Sequence, residues 1–389
     1  MTYHYQVADL TFELKLAKED SLNQHLSNYE PFRTDQHKEV IFRLTVCPDQ
    51  AEMIDLSHYT EIISFEEETQ HFSIYKSADT NDTIIVMTLS HAKSCTAYLQ
   101  IQEDYSNGIL SVRGSSAFRY YSLNNSLMMM FAFASAPHNM LLQHSSVIVH
   151  KEKGYLFLGK SGTGKSTHSS LWLKHIEGSM LLNDDNPVIG INKDGVPTVY
   201  GSPWSGKTPC YKNDSATIGG FVRLWQAPKN EIQKMNVIQA YAALLPTVSG
   251  MKWERKMADA MNKTLNALVM KVPVFNLNCL PDEELYQVLH TTAADFVKDL
   301  PLGLDSLCRE RGTGLSEGQA QRIAIARGLL RKGSILLMDE FSSSLDKETE
   351  KILMQRLLEN YPDKTMLFIT HHEVIANYCT DIVKLERKL

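Results

Sequence analysis

The run Gly159-Lys160-Ser161-Gly162-Thr163-Gly164-Lys165-Ser166-Thr167 constrains this chain more than any other stretch. It fits G-x-x-x-x-G-K-[ST], a loop whose glycines let successive backbone N–H groups curl around phosphate oxygens. Such a loop needs a strand before it and a helix after it. Tyr155–Leu158 reads as a short buried strand, and Ser166–Ile176 reads as a helix whose N-terminus adds partial positive charge. In that setting Lys165 reaches the β- and γ-phosphates and the Ser166 hydroxyl ligates Mg2+. The expected cofactors are therefore ATP and Mg2+, held by Gly159, Ser161, Gly162, Thr163, Gly164, Lys165, Ser166 and Thr167. A glycine-rich turn that matches by chance would lack the flanking strand and helix.

Two further features belong with the loop. Met180-Leu181-Leu182 reads as a buried strand ending in Asn183-Asp184-Asp185-Asn186. Carboxylates at the carboxyl end of a parallel strand beside a phosphate loop are placed to hold Mg2+, so Ser166, Asp184 and Asp185 are the expected metal ligands. One aspartate can also take the proton of an attacking hydroxyl. Adjacent like charges resist joint ionisation without a cation, which favours such a base. The competing reading is a solvated Asp-Asp turn. His144 stands at a strand start before Val147-Ile148-Val149, beside the nucleotide end of the same sheet. The expected catalytic set is Asp184, Asp185, His144 and Lys165.

Bulk composition narrows the rest. With 389 residues the chain is long for one domain. A 43% hydrophobic and 22% charged composition is that of an ordinary globular protein, and a net charge of −6 gives no pull toward nucleic acid. The six cysteines form no C-x-x-C pair, which argues against a zinc site or disulfide framework and for a reducing cytoplasm. The start, Met1-Thr2-Tyr3-His4, is not a signal peptide, and Leu127–Ala136, stopped by Pro137, is too short to span a bilayer.

Residues 1–121 look β-rich, with short runs at Val40–Val46, Ile62–Phe65, Phe72–Tyr75, Ile84–Thr88, Ala97–Gln102 and Ile109–Arg113. The last two flank Ser106-Asn107-Gly108, a hairpin signal because Asn-Gly tolerates positive φ. Leu123 to about Leu142 reads as a long apolar helix. Val188–Ile191 and Thr198–Tyr200 flank a turn at Lys193-Asp194-Gly195. The loop Gly201–Lys207 either contacts phosphate or acceptor or is a plain surface loop. Ile218–Leu224 and Val272–Leu277 read as strands. Residues 236–268 read as helix, broken near Pro246 and Gly250, and Pro281-Asp282-Glu283-Glu284 caps a further helix.

On Gly159–Thr167, the Asp184-Asp185 pair and the preceding His144, the segment His144–Glu284 resembles the HPr serine kinase and ATP-dependent phosphoenolpyruvate carboxykinase superfamily. It is most similar to the HPr-kinase-like proteins of peptide-maturation gene clusters. The resemblance implies a P-loop α/β core, with Lys165 and Ser166 on nucleotide and metal, Asp184 or Asp185 as base and metal ligand, and His144 assisting. It implies a hydroxyl acceptor: the serine of a peptide, a protein or a small molecule. Thr167 departs from the pattern, since the HPr kinases proper carry an acidic residue there.

A second set of motifs follows. Leu315-Ser316-Glu317-Gly318-Gln319 resembles the ABC-transporter signature L-S-G-G-Q, and Ile335–Glu340 its Walker B strand. Ser344-Leu345-Asp346 matches the D-loop and Ile369-Thr370-His371 the switch histidine. The resemblance implies that Ser316, Gly318, Gln319, Asp339, Glu340 and His371 serve ATP, with Asp339 supporting Mg2+, Glu340 polarising water and His371 contacting the γ-phosphate. No ABC-type phosphate loop or Q-loop precedes this half.

The expected fold is α/β in three parts: a β-rich domain (1–121), an HPr-kinase-like P-loop domain (122–292) and the C-terminal half of an ABC ATP-binding domain (293–389). The expected function is ATP- and Mg2+-dependent transfer of phosphate to a serine-type hydroxyl. The alternatives are the ATPase of a peptide-exporting ABC transporter and a nucleotide sensor without turnover. The expected partners are the serine acceptor, an ABC exporter subunit and a second copy of the chain, with no nucleic acid.

Overall fold

The computed structural model describes the chain apart from residues 36–38, 48–53, 68–69, 90–91, 161, 207, 228–229, 280–282, 301–305, 307–313, 332 and 385–389. It divides into two compact units, Met1–Cys279 and Leu280–Leu389. This is a mixed α/β protein, as expected, but the division differs from the three-part scheme. The junction lies at 279/280 rather than 292/293, because the helix Glu283–Thr291 packs its Val288 and Leu289 into the core of the second unit.

The first unit holds two sheets around one hydrophobic core. In the eight-stranded sheet the spatial order is Thr2–Val7, Leu10–Lys15, Val40–Val46, Asn107–Arg113, Ala92–Ile101, Thr83–Leu89, Gln70–Ser77 and Tyr59–Glu67. The six expected runs all lie in or along these strands, and Thr2–Val7 and Leu10–Lys15 are additional. The turn before Asn107 takes its left-handed residue at Tyr105 (φ +61°), while Asn107 itself already belongs to the ladder. A helix, Ser116–Ser135, crosses this sheet. It starts seven residues earlier than the apolar run, because Ser115 caps it by accepting from the Phe118 N–H, and it ends before Pro137. Leu123, Leu127, Met130 and Phe131 on it are fully buried and join side chains of both sheets. Residues 1–121 and the loop-bearing sheet therefore share a core and do not form separate domains.

The second sheet carries the loop. Its order is Met180–Asp185, Ser145–His150, Lys153–Leu158, Ser215–Gln226, Pro197–Tyr200, Val188–Ile191 and Met140–Leu142, with Val274–Cys279 also pairing parallel to Ser215–Gln226. Met180–Asp185 runs antiparallel to its neighbour Ser145–His150, which is itself antiparallel to the loop strand Lys153–Leu158. The aspartates are thus not on a strand with parallel neighbours, as expected from sequence. Two reversals still bring their carboxyl end to the same edge as the loop. The predicted break at Pro246 is a 3-10 turn, Leu245–Thr247, between the helices Val237–Leu244 and Arg255–Lys271.

The second unit is smaller. A parallel pair of strands, Ile335–Asp339 and Thr365–Ile369, packs with the helices Glu317–Leu329 and Lys347–Asn360 around Leu353, Met354 and Leu357. Among the described residues one face of that pair is covered. Ile335, Leu337, Leu367 and Ile369 alternate on the other and are 47–70% exposed.

Candidate nucleotide site

The loop leaves the strand Lys153–Leu158 and enters the helix Lys165–His175, as the motif requires. Gly162 and Gly164 take φ +84° and +95°, and a Cβ on either would meet nothing within 4 Å. Glycine is needed at both for backbone conformation alone. Ser166 and Thr167 are exposed at the helix start. The Thr163 N–H donates to Lys160 O at 3.2 Å, and the N-terminus of the eleven-residue helix that follows suits a triphosphate with its cation. Ser161 lies outside the described residues.

Lys165 is half-buried, and its Nζ donates to the carbonyl of Gly159 at 2.9 Å and to His144 Nε2 at 2.9 Å. Burial pulls its pKa below the usual lysine value, and the Asp185 and Asp184 carboxylates pull it back up. His144 Nδ1 lies 2.9 Å from Asp185 Oδ1. With Nε2 accepting from Lys165, the hydrogen belongs on Nδ1 and donates to Asp185. Lys165, His144 and Asp185 form one hydrogen-bonded line. The structure brings together these three expected catalytic residues.

Asp184 goes elsewhere. It is buried, and its Oδ1 accepts from Ser146 Oγ at 2.7 Å; Ser146 Oγ lies 2.7 Å from Ser169 Oγ on the loop helix. Ser146 is its cross-strand partner, so the two side chains share a face. Strand alternation sends Asp185 to the other side. The expected crowding of two like charges is thereby resolved by geometry: each carboxylate has its own donor.

Several residues that position the site carry no motif. Asn183 is fully buried. It accepts from the N–H groups of Asp185 and Asn186 and donates to Ser202 Oγ, fixing the aspartate turn. The backbone N–H of His144 donates to Thr247 O at 2.7 Å, in the turn that Pro246 creates. Gln226 Nε2 donates to Gly162 O at 3.4 Å, tying the neighbouring strand to the loop. These contacts join residues far apart in sequence and leave no local pattern.

The loop Gly201–Lys207 is not a plain surface loop. Ser202 and Trp204 are buried, and a Cβ on Gly206 would stand 2.9 Å from Asp184 O and 3.2 Å from Asp185 Cβ. Gly201 to Thr208 also satisfies G-x-x-x-x-G-K-[ST], a match that reading by context passes over. No helix follows it, so it has no helix N-terminus to offer phosphate. Its place is against the aspartates. Lys207 lies outside the described residues.

In the second unit the ABC-type residues sit at element ends. Ser316 caps the helix Glu317–Leu329 and forms a reciprocal box with Gln319. Gly318 lets the backbone pass close to Ser344, where a Cβ would meet its carbonyl at 2.7 Å. Asp339 ends its strand, exposed. Glu340 holds φ +44° and pairs with His371 Nδ1 at 3.0 Å. No cluster of three or more His, Cys, Asp or Glu fit to hold a metal occurs among the described residues of either unit. Mg2+ is suited to one or two carboxylates plus phosphate oxygens rather than such a cage. Among the described residues no helix is long and apolar enough to cross a membrane.

Residues 210–343 match the family model for the ABC transporter. The lactococcin-G-processing and transport ATP-binding protein of Lactococcus lactis subsp. lactis is 36% identical over 124 residues, 31% of this chain and 18% of that protein. ABC transporter B family member 14 of Arabidopsis thaliana is 31% identical over 241 residues, 62% of this chain and 15% of that protein. The ATP-dependent lipid A-core flippase of Photobacterium profundum is 48% identical over 79 residues, 20% and 14%. This chain thus spans less than a fifth of the length of each. A bacterial Atm1-family ABC exporter with ATP bound aligns over 67% of this chain and 42% of its own at 18% identity, with a TM-score of 0.23, which carries no fold argument. Over residues 210–343 the chain is thus similar to ABC transporter ATP-binding-domain sequence, and ATP and Mg2+ are the cofactors that such domains use. The family match begins at Cys210 and crosses the boundary between the units.

Proposed function

We propose that this chain, which carries ABC ATP-binding sequence but seats its phosphate loop in the sheet of its first unit, is an ATP- and Mg2+-dependent phosphotransferase acting on a serine-type hydroxyl. The observation that supports this is the line Lys165–His144–Asp185 at the mouth of the loop. ATP with Mg2+ would supply the phosphoryl group and neutralise its charge. The loop amides and Lys165 would bind the phosphates. Ser166 and Asp184 would hold the metal, Asp184 being fixed by Ser146 and Ser169. Asp185, oriented by His144, would take the proton of the acceptor hydroxyl. The reading is close to the HPr-kinase-like resemblance of His144–Glu284, with acceptor a peptide, protein or small molecule.

The comparisons favour a second reading, ATP hydrolysis as part of an exporter. The Lactococcus relative is by its name a processing and transport ATP-binding protein. Here the second unit would present Ser316, Glu340 and His371 to ATP seated on another subunit, either a second copy or an exporter subunit carrying a phosphate loop. The chain from residue 280 onward contains no G-x-x-x-x-G-K-[ST] of its own.

One experiment separates the two. The purified chain is given γ-labelled ATP, Mg2+ and either free serine or serine-containing peptides. Label moving to serine, and falling about 10²-fold or more in Asp185→Asn, supports the phosphotransferase. Transfer that persists in both Lys165→Ala and Asp185→Asn sinks it. Free phosphate released without transfer, and abolished by Glu340→Gln, supports the exporter ATPase.

A further inference from the structure

The geometry points to a purine platform beside the phosphate loop, with Trp225 as its stacking surface. The inference rests on the reading that Gly159–Thr167 seats a triphosphate. Leu158, the last residue before the loop, pairs in parallel register with Arg223, so Trp225 stands at the carboxyl end of the adjacent strand. That edge of an α/β sheet is where ligands bind. The next residue, Gln226, reaches the loop itself at Gly162 O.

Trp225 is 53% exposed, and the Arg223 guanidinium lies 5.2 Å from its ring centroid, which restrains the indole. The strand Val274–Cys279 sets Asn276 against Arg223 and Asn278 against Trp225. Alternation places these four side chains on one face, while Val222 and Leu224 pack with Trp172 of the loop helix on the other. Asn276 Nδ2 donates to Asn278 Oδ1 at 2.9 Å, holding the amides in a row. A restrained indole flanked by a guanidinium and two carboxamides suits a flat heterocycle with hydrogen-bonding edges. This chemistry is that of base stacking with amide readout, and the loop's neighbour strand puts it next to the phosphates. The occupant is the adenine of the ATP whose phosphates the loop holds.

Calorimetric titration of the whole chain with MgATP and with Mg2+-tripolyphosphate, which has no base, tests this. Trp225→Ala weakens MgATP binding about tenfold and leaves tripolyphosphate binding as in the unaltered chain, while Trp225→Phe restores most of the loss. Unchanged MgATP affinity in Trp225→Ala overturns the platform and leaves the loop reading standing. Equal weakening of both ligands also overturns it, because the indole then serves the fold. If the unaltered chain binds no tripolyphosphate and Lys165→Ala changes nothing, the loop reading fails and the platform with it.

Discussion

The two units carry different sets of motifs. The first has a G-x-x-x-x-G-K-[ST] loop, with its lysine hydrogen-bonded to a histidine that pairs with an aspartate. The second has a signature serine, a strand-end carboxylate pair and a histidine, set at the ends of elements that present them outward, and no cradle in its sequence. The difference lies also in how each is enclosed. The first unit closes one core around two sheets, whereas the second leaves a face of its two-stranded sheet exposed. A cradle needs a strand before it and a helix after it, and the loop at Gly159 has both.

That contrast can be broken most directly at Lys165. Lys165→Ala is expected to lower ATP-dependent turnover by about 10²- to 10³-fold, the size of losing one preorganised charge donor. If turnover survives while Ser316→Ala removes it, the working site is in the second unit and the contrast is reversed. Next in size is the buttress of the aspartate turn. Trp204 Nε1 donates to Tyr29 OH at 3.0 Å, and Asn28 donates to Pro203 O at 3.0 Å, so the turn at Asn28 and Tyr29, which connects Leu10–Lys15 to Val40–Val46 of the first sheet, holds the loop that packs on Asp184 and Asp185. Trp204→Phe is expected to cost about 1–2 kcal/mol in denaturant unfolding of the first unit. No change would mean the two sheets are less interdependent than their shared core implies.

Ser316→Ala is expected to cost the second unit about 1 kcal/mol through the lost helix cap, with phosphoryl transfer by the first unit unaffected. A transfer rate that falls with it would couple the units. The smallest effect expected is at His168 on the loop helix. Burial holds its pKa below the ordinary 6.5. The unfolded chain therefore takes up this proton more readily. The penalty is absent above pH 6.5 and grows as pH falls through the depressed folded value. Thermal melts of His168→Gln should lose part of the acid sensitivity seen in the unaltered chain; identical pH profiles would refute this.

Much of the site was legible because its parts are local. The loop motif, its flanking strand and helix, the Asp184-Asp185 turn and His144 at a strand start are all short-range patterns, and the ABC-type motifs of the second unit are likewise contiguous. The breaks at Pro137 and Pro246 also announced themselves, since proline stops a helix wherever it falls.

What the sequence by itself determined, then, is the set of backbone conformations and the chemical inventory: glycines where the loop must turn left-handed, a lysine and hydroxyls to follow, carboxylates at a strand end. Tertiary structure alone decided how that inventory is divided. Antiparallel pairing with Ser145–His150 buried Asp184 under Ser146 and turned Asp185 toward His144. A shared core fused the β-rich region to the loop sheet, and a second match to the loop pattern at Gly201 became packing for the aspartates. The reason is physical: side-chain partners across strands depend on register and direction, which no stretch of sequence contains until its neighbour is in place.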